Sequence, residues 1–100
     1  MERYNVRIYP AALRDLGAVV EELNSLPPAE ALRCFDLLTE QCRSLALMPE
    51  RCPRPRDLAL RARGCRYLRV DSCLVLYLIS GGEVQILRIL RAGAGWDALF

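Results

Sequence analysis

The stretch "GCRYLRVDSCLVLYLISGGEVQILRIL", Gly64 to Leu90, decides how this chain folds. It is the most apolar part of the sequence, and it is interrupted twice by residues suited to tight turns. Gly81-Gly82 offers the positive φ values of a two-residue hairpin loop. Asp71-Ser72 can make a similar turn. The two loops cut the stretch into three strands of an antiparallel meander. They pair Ser80 with Glu83, Tyr77 with Ile86 and Val75 with Arg88, and, across the other turn, Arg66 with Tyr77 and Arg69 with Leu74. "CLVLYLI" is apolar on both faces, which reads as the central strand.

Working outward, "YNVRIY" (Tyr4 to Tyr9) alternates, with Tyr4, Val6 and Ile8 on one face, so it predicts a half-buried strand ended by Pro10. From Ala11 to about Ser25 the period lengthens. Leu13, Leu16, Val20 and Leu23 predict the buried stripe of an amphipathic helix. "SLPP" breaks it, and Pro28 suits the first turn of a second helix. That helix runs from about Ala29 to Leu47 with Leu32, Phe35, Leu38, Cys42 and Leu45 on one stripe. The two helices should form an antiparallel hairpin. "MPERCPRPRDLALRAR" (Met48 to Arg63) contains three prolines and five arginines. It reads as a basic connecting loop with a helical turn near Leu58 to Leu60, either a solvated surface or an arm that contacts anions. After Leu90 the chain loosens at "RAGAG" and closes with "WDALF", a short tail whose Trp96 is expected to pack inward.

The order strand, helix, helix, strand, strand, strand, tail predicts a two-layer α+β domain with a helical hairpin on one sheet face. At 100 residues the chain argues for one domain spanning residues 1–100. With uninterrupted alternation, Arg66, Val75, Tyr77, Ile86 and Arg88 face the helices, where the two arginines need partners such as an acidic helix residue. Tyr67, Arg69, Leu74, Leu76, Leu87, Ile89 and Arg91 share the other face. No further element is evident to cover it. An apolar patch rimmed by cations on a bare face marks a partner site.

Composition excludes several chemistries. All fourteen basic residues are arginine and there is no histidine, so the commonest general base and the commonest zinc nitrogen ligand are missing. A GC-rich genome also favours arginine, which is the bland account of that bias. The five cysteines, Cys34, Cys42, Cys52, Cys65 and Cys73, are odd in number and contain no C-x-x-C pair, which speaks against a disulfide framework or a metal site. They read as reduced, small hydrophobes. No apolar run nears the ~20 residues of a membrane span, and "MERYNVRIYP" lacks the apolar core of a signal peptide, so a cytoplasmic location is expected without cofactor or metal.

Three motifs in order, "VRIYPAALRDL", "GCRYLRV" and "VQILRIL", with the late "GWDALF", resemble the RelE/ParE superfamily of bacterial toxins from type II toxin–antitoxin pairs. The resemblance covers essentially the whole chain. It implies a toxin neutralised by a cognate antitoxin protein that wraps it with a helix and an extended segment. RelE-like members cleave mRNA on the ribosome with basic residues on the second and third strands and further groups near the C-terminus. ParE-like members lack that set and poison DNA gyrase. Here Cys65 and Tyr67 stand where second-strand lysines are expected. Leu74 stands at the third-strand arginine, and Arg91 at a common histidine position. "AGAG" replaces a basic run. A nuclease would be left with Tyr67, Arg69 and Arg91. The departures favour the gyrase-directed branch, with ribosome-dependent cleavage or a degenerate binding module as alternatives. Target and antitoxin contacts are expected at Arg56, Arg61, Arg63, Tyr67, Arg69, Leu74, Leu76, Leu87, Ile89 and Arg91.

Overall fold

The structure is a computed structural model that describes residues 2–93 and 95–100. The elements are β1 (Asn5–Ile8), α1 (Pro10–Leu23), α2 (Pro28–Ser44), α3 (Leu58–Ala62), β2 (Arg66–Val70), β3 (Cys73–Ser80) and β4 (Glu83–Arg91), with single 3-10 turns at Pro49–Arg51 and Asp97–Leu99. This is the α+β order read from the sequence, with the short helix α3 in the basic connection. Pro10 and Pro28 each open a helix, where their missing N–H has no partner to lose. Among the described residues the sheet has four strands in the order β1-β4-β3-β2. The meander of β2, β3 and β4 is antiparallel, β3 is central within it, and β1 adds to the far edge of β4 in parallel. Asp71 and Gly81 take the positive φ values, 50° and 61°, that turn the chain between these strands.

The register departs from simple alternation at one point. Tyr77 pairs with Ile86 and Leu76 with Arg88, so Leu87 is an extra residue in β4. Such a bulge flips every later side chain to the other face. Val75 therefore pairs with Ile89, not with Arg88, and Cys73 pairs with Arg91. Ile89 joins the core beneath the helices together with Val75, Tyr77, Val84, Ile86, Leu38 and Cys42. Leu90 takes its place on the second face, opposite Leu74.

The helix faces are also shifted. α1 buries Ala12 and Val19, with Leu16 and Leu23 packed behind them, while Leu13 is 54% exposed and Val20 lies outside as well. Both stripes have helical spacing, and Asp15 decides between them. β1 stops at Ile8 while β4 continues to Arg91, so the second half of β4 has an unpaired edge. α1 runs along it. The Asp15 carboxylate accepts the Ile89 N–H at 2.9 Å, replacing the missing strand, and holds the Arg88 guanidinium at 2.7 and 3.0 Å. Positions 12, 16, 19 and 23 share the face of Asp15. In α2, Leu38 and Cys42 are buried, followed by Leu45 just beyond its end, but Leu32 is 61% exposed. Leu32 lies on the outward side of α2 with Ala29, Arg33, Asp36 and Leu37, not on the buried stripe of Leu38 and Cys42.

Candidate functional site

The second sheet face is not bare. Leu74 is 1% and Leu76 6% exposed, and Leu90 is buried too. The C-terminal tail folds back across them. The Phe100 ring meets the edge of Tyr67 at 5.0 Å, and Arg88 lies 6.0 Å over Trp96. The Leu99 carbonyl accepts the Asp57 N–H at 3.0 Å, which ties the tail to the start of α3. The Asp97 carboxylate accepts the Gly93 N–H at 2.9 Å. Trp96 itself stays 36% exposed, so it roofs the face and does not enter the core. The expected apolar partner patch of Leu74, Leu76, Leu87 and Ile89 is thus dismantled. The tail covers the first two, Leu87 is half-buried in the bulge, and Ile89 is inside the core. Ala94, in the "AGAG" departure, lies outside the described residues.

What remains open on this face is a cleft of about 760 Å3 lined by Tyr67, Arg69, Asp71, Ser72, Leu74, Ala92, Gly93, Asp97 and Phe100. Tyr67 and Arg69 come together here as expected. Arg91 does not. The bulge turns it to the helix side, where it pairs with Glu22 of α1 and lines a different cavity beside Cys34 and Cys73. The cleft therefore holds one guanidinium between two carboxylates, Asp71 and Asp97. That balance disfavours a phosphodiester, whose own charge would meet both acids. Asp71, Asp97 and Phe100 were not anticipated. They reach the cleft through the β2–β3 turn and the folded tail, which no local pattern signals.

The buried polar groups are structural. Tyr77, fully buried, donates its hydroxyl to the Pro49 carbonyl at 2.5 Å, and burial pushes its pKa up. Arg66, half-buried, donates to the Cys52 carbonyl at 2.7 Å, so a carbonyl takes the place of an acidic partner. Burial raises the Cys42 thiol to about 11 and raises Cys65 and Cys73 as well, leaving them protonated and inert near neutral pH. All five cysteines are free. Among the described residues no group of His, Cys, Asp or Glu is gathered closely enough to hold a metal ion, and no helix is long and apolar enough to cross a membrane.

Arg56, Arg61 and Arg63 are exposed, as is Arg54, all on the connection between α2 and β2. Arg51 is different. Its guanidinium closes the end of α2 by donating to the carbonyls of Ser44, Leu47 and Met48.

Comparison with known structures finds the same fold. The chromosomal ParDE toxin–antitoxin system of P. aeruginosa matches with a TM-score of 0.75 and 26% identity, covering 90% of this chain and 97% of that one. The RelBE2 toxin–antitoxin complex of Mycobacterium tuberculosis matches with a TM-score of 0.62 and 28% identity, over 91% and 93% of the two chains. Comparison with curated protein sequences gave no match. Residues 6–96 match the family described as the ParE toxin of the type II toxin–antitoxin system parDE, from β1 to Trp96. With nearly all of β1, the helical hairpin and the bulged meander inside that span, the chain belongs to the ParE toxin family.

Proposed function

We propose that this protein is a toxin that binds and poisons DNA gyrase when free and is silenced by a cognate antitoxin protein. The observation that carries this reading is the composition of the second-face cleft. A ribonuclease of this superfamily would need a group to take the 2'-hydroxyl proton, cations around the phosphorane and an acid for the leaving oxygen. The cleft offers Tyr67 packed against Phe100, a single Arg69, and two carboxylates. Leu74, buried beneath them, occupies the central position. Arg91 is withdrawn to Glu22. The family membership and the toxin–antitoxin assemblies among the structural relatives support a protein antitoxin as partner. For that partner the molecule presents apolar groups on the hairpin, Leu13 and Val20 on α1 and Leu32 and Leu37 on α2.

Purified protein added to gyrase and relaxed plasmid should block supercoiling and accumulate cleaved DNA–enzyme complexes. Absence of both at micromolar protein, together with new cuts in the ribosomal A site by primer extension on translated mRNA, would reverse the assignment in favour of RelE-like cleavage.

A further inference from the structure

We infer that the connection from Pro53 to Arg63 is a docking surface for the phosphate backbone of duplex DNA. The charge of the chain is unevenly divided. Its first fifty residues hold five arginines and eight acids, a balance of −3, while its last fifty hold nine arginines and four acids, a balance of +5. Such asymmetry points to a polyanionic partner. Most of the surplus sits in this one connection. Arg54, Arg56, Arg61 and Arg63 are all exposed, and among the described residues none of them is held in an ion pair or a side-chain hydrogen bond. The one acid of the segment, Asp57, is committed to capping α3, its carboxylate accepting the Leu60 N–H at 3.0 Å.

The segment is also a fixed platform. Cys52 and Pro55 are buried beneath it. The Pro53 carbonyl accepts the Tyr67 N–H at 3.1 Å along the outer edge of β2, and the Leu60 carbonyl accepts the Cys65 N–H at 3.0 Å. Asp57 is tied to the tail through Leu99. Arginines on an anchored backbone lose less freedom on binding than arginines on a loose loop. The residue types choose among nucleic acids. Residues 53–63 contain no aromatic side chain to stack unpaired bases, which single-strand binders use. They also contain no serine, threonine, asparagine or glutamine to engage ribose 2'-hydroxyls. Guanidinium groups alone fit the regular phosphates of a DNA duplex.

The test needs no gyrase, so it fails or succeeds independently of the function proposed above. A labelled 25-base-pair duplex is titrated with the full chain by fluorescence anisotropy, from about 50 mM salt upward. Four phosphate contacts predict that log K falls with log salt at a slope of about −3 to −4. The variant carrying Arg54→Gln, Arg56→Gln, Arg61→Gln and Arg63→Gln, checked for native fold by circular dichroism, should bind at least about tenfold more weakly with a nearly flat slope. Arg14→Gln with Arg33→Gln, on the acidic hairpin, should bind as the parent does. Equal affinity of parent and fourfold variant would overturn the inference. So would tighter binding of single-stranded DNA or of duplex RNA of the same length. A fourfold variant that keeps its DNA affinity but loses antitoxin binding would reassign the surface to a protein.

Discussion

Asp15 shows how much one residue can carry. Its carboxylate replaces an absent strand by accepting the Ile89 N–H and grips Arg88 with two bonds. Burial alone would raise its pKa, but the bonds from Arg88 and Ile89 outweigh that and hold it below the ordinary carboxylate value, while Arg88 is held above its own. A carboxyl whose folded pKa is depressed contributes stability that is complete above its unfolded pKa, about 4, and is lost as pH falls through the lower folded value. Asp15→Asn should therefore lower stability by about 2 kcal/mol at pH 7, and chemical denaturation should show the gap to the parent closing below about pH 4. A gap that stays constant to pH 2 would contradict this role. The cysteines give a second check at this scale. Cys34 is half-exposed and the other four are buried. Ellman's reagent should label about one thiol quickly in the native protein, and all five only after unfolding.

Two elements behave in ways their own sequences do not announce. In β4 the bulge at Leu87 sends Ile89 into the core and Arg91 to Glu22. Deleting Leu87 removes the extra residue, so Ile89 stays opposite Val75 and Arg91 opposite Cys73 with their faces unchanged. A cooperative thermal transition should therefore survive the deletion, whereas its loss would mean that the bend the bulge gives β4 is itself needed for the fold. The tail is the other case. Removing residues 96–100 uncovers Leu74, Leu76 and Leu90, each worth about 1.5–3 kcal/mol when fully buried, although part of that cover comes from the sheet itself. The truncated chain should melt lower and bind a hydrophobic dye such as ANS. Identical melting and no dye binding would show that the tail contributes nothing to the second face.

For the molecule as a whole, the two surfaces differ in kind. The hairpin is acidic and shows Leu13, Val20, Leu32 and Leu37, whereas the connection from Pro53 to Arg63 is basic. The cleft between tail and sheet sets Arg69 beside Asp71 and Asp97, which supports the gyrase-directed reading proposed above. Arg69→Ala should accordingly leave growth inhibition on induced expression within about twofold of the parent, although it removes the one guanidinium among the described residues lining the cleft. Abolished toxicity in that variant would restore the nuclease reading. Leu13→Glu with Val20→Glu, both on the exposed side of α1, should keep toxicity but weaken rescue by the antitoxin, measured as growth during co-expression. Rescue equal to that of the parent would place the antitoxin elsewhere.

Element order, the meander, the central place of "CLVLYLI" and the basic connection were legible in the sequence because period, turn residues and proline positions are local properties. So were the pairings nearest the turns, Ser80 with Glu83 and Arg69 with Leu74, which turn geometry fixes. The occupant of each face was not legible. A bulge leaves no mark in hydrophobic alternation when both faces of a strand are apolar, as in "EVQILRIL". Two helical stripes of equal quality in α1 are told apart only by Asp15 meeting the free edge of β4. The tail's return over Leu74 depends on contacts with Tyr67, Arg88 and Asp57, residues far from it in the chain. The sequence alone determined which segments are strands and helices. Tertiary structure decided which way they face, because side-chain orientation is set by the partner that packing brings alongside.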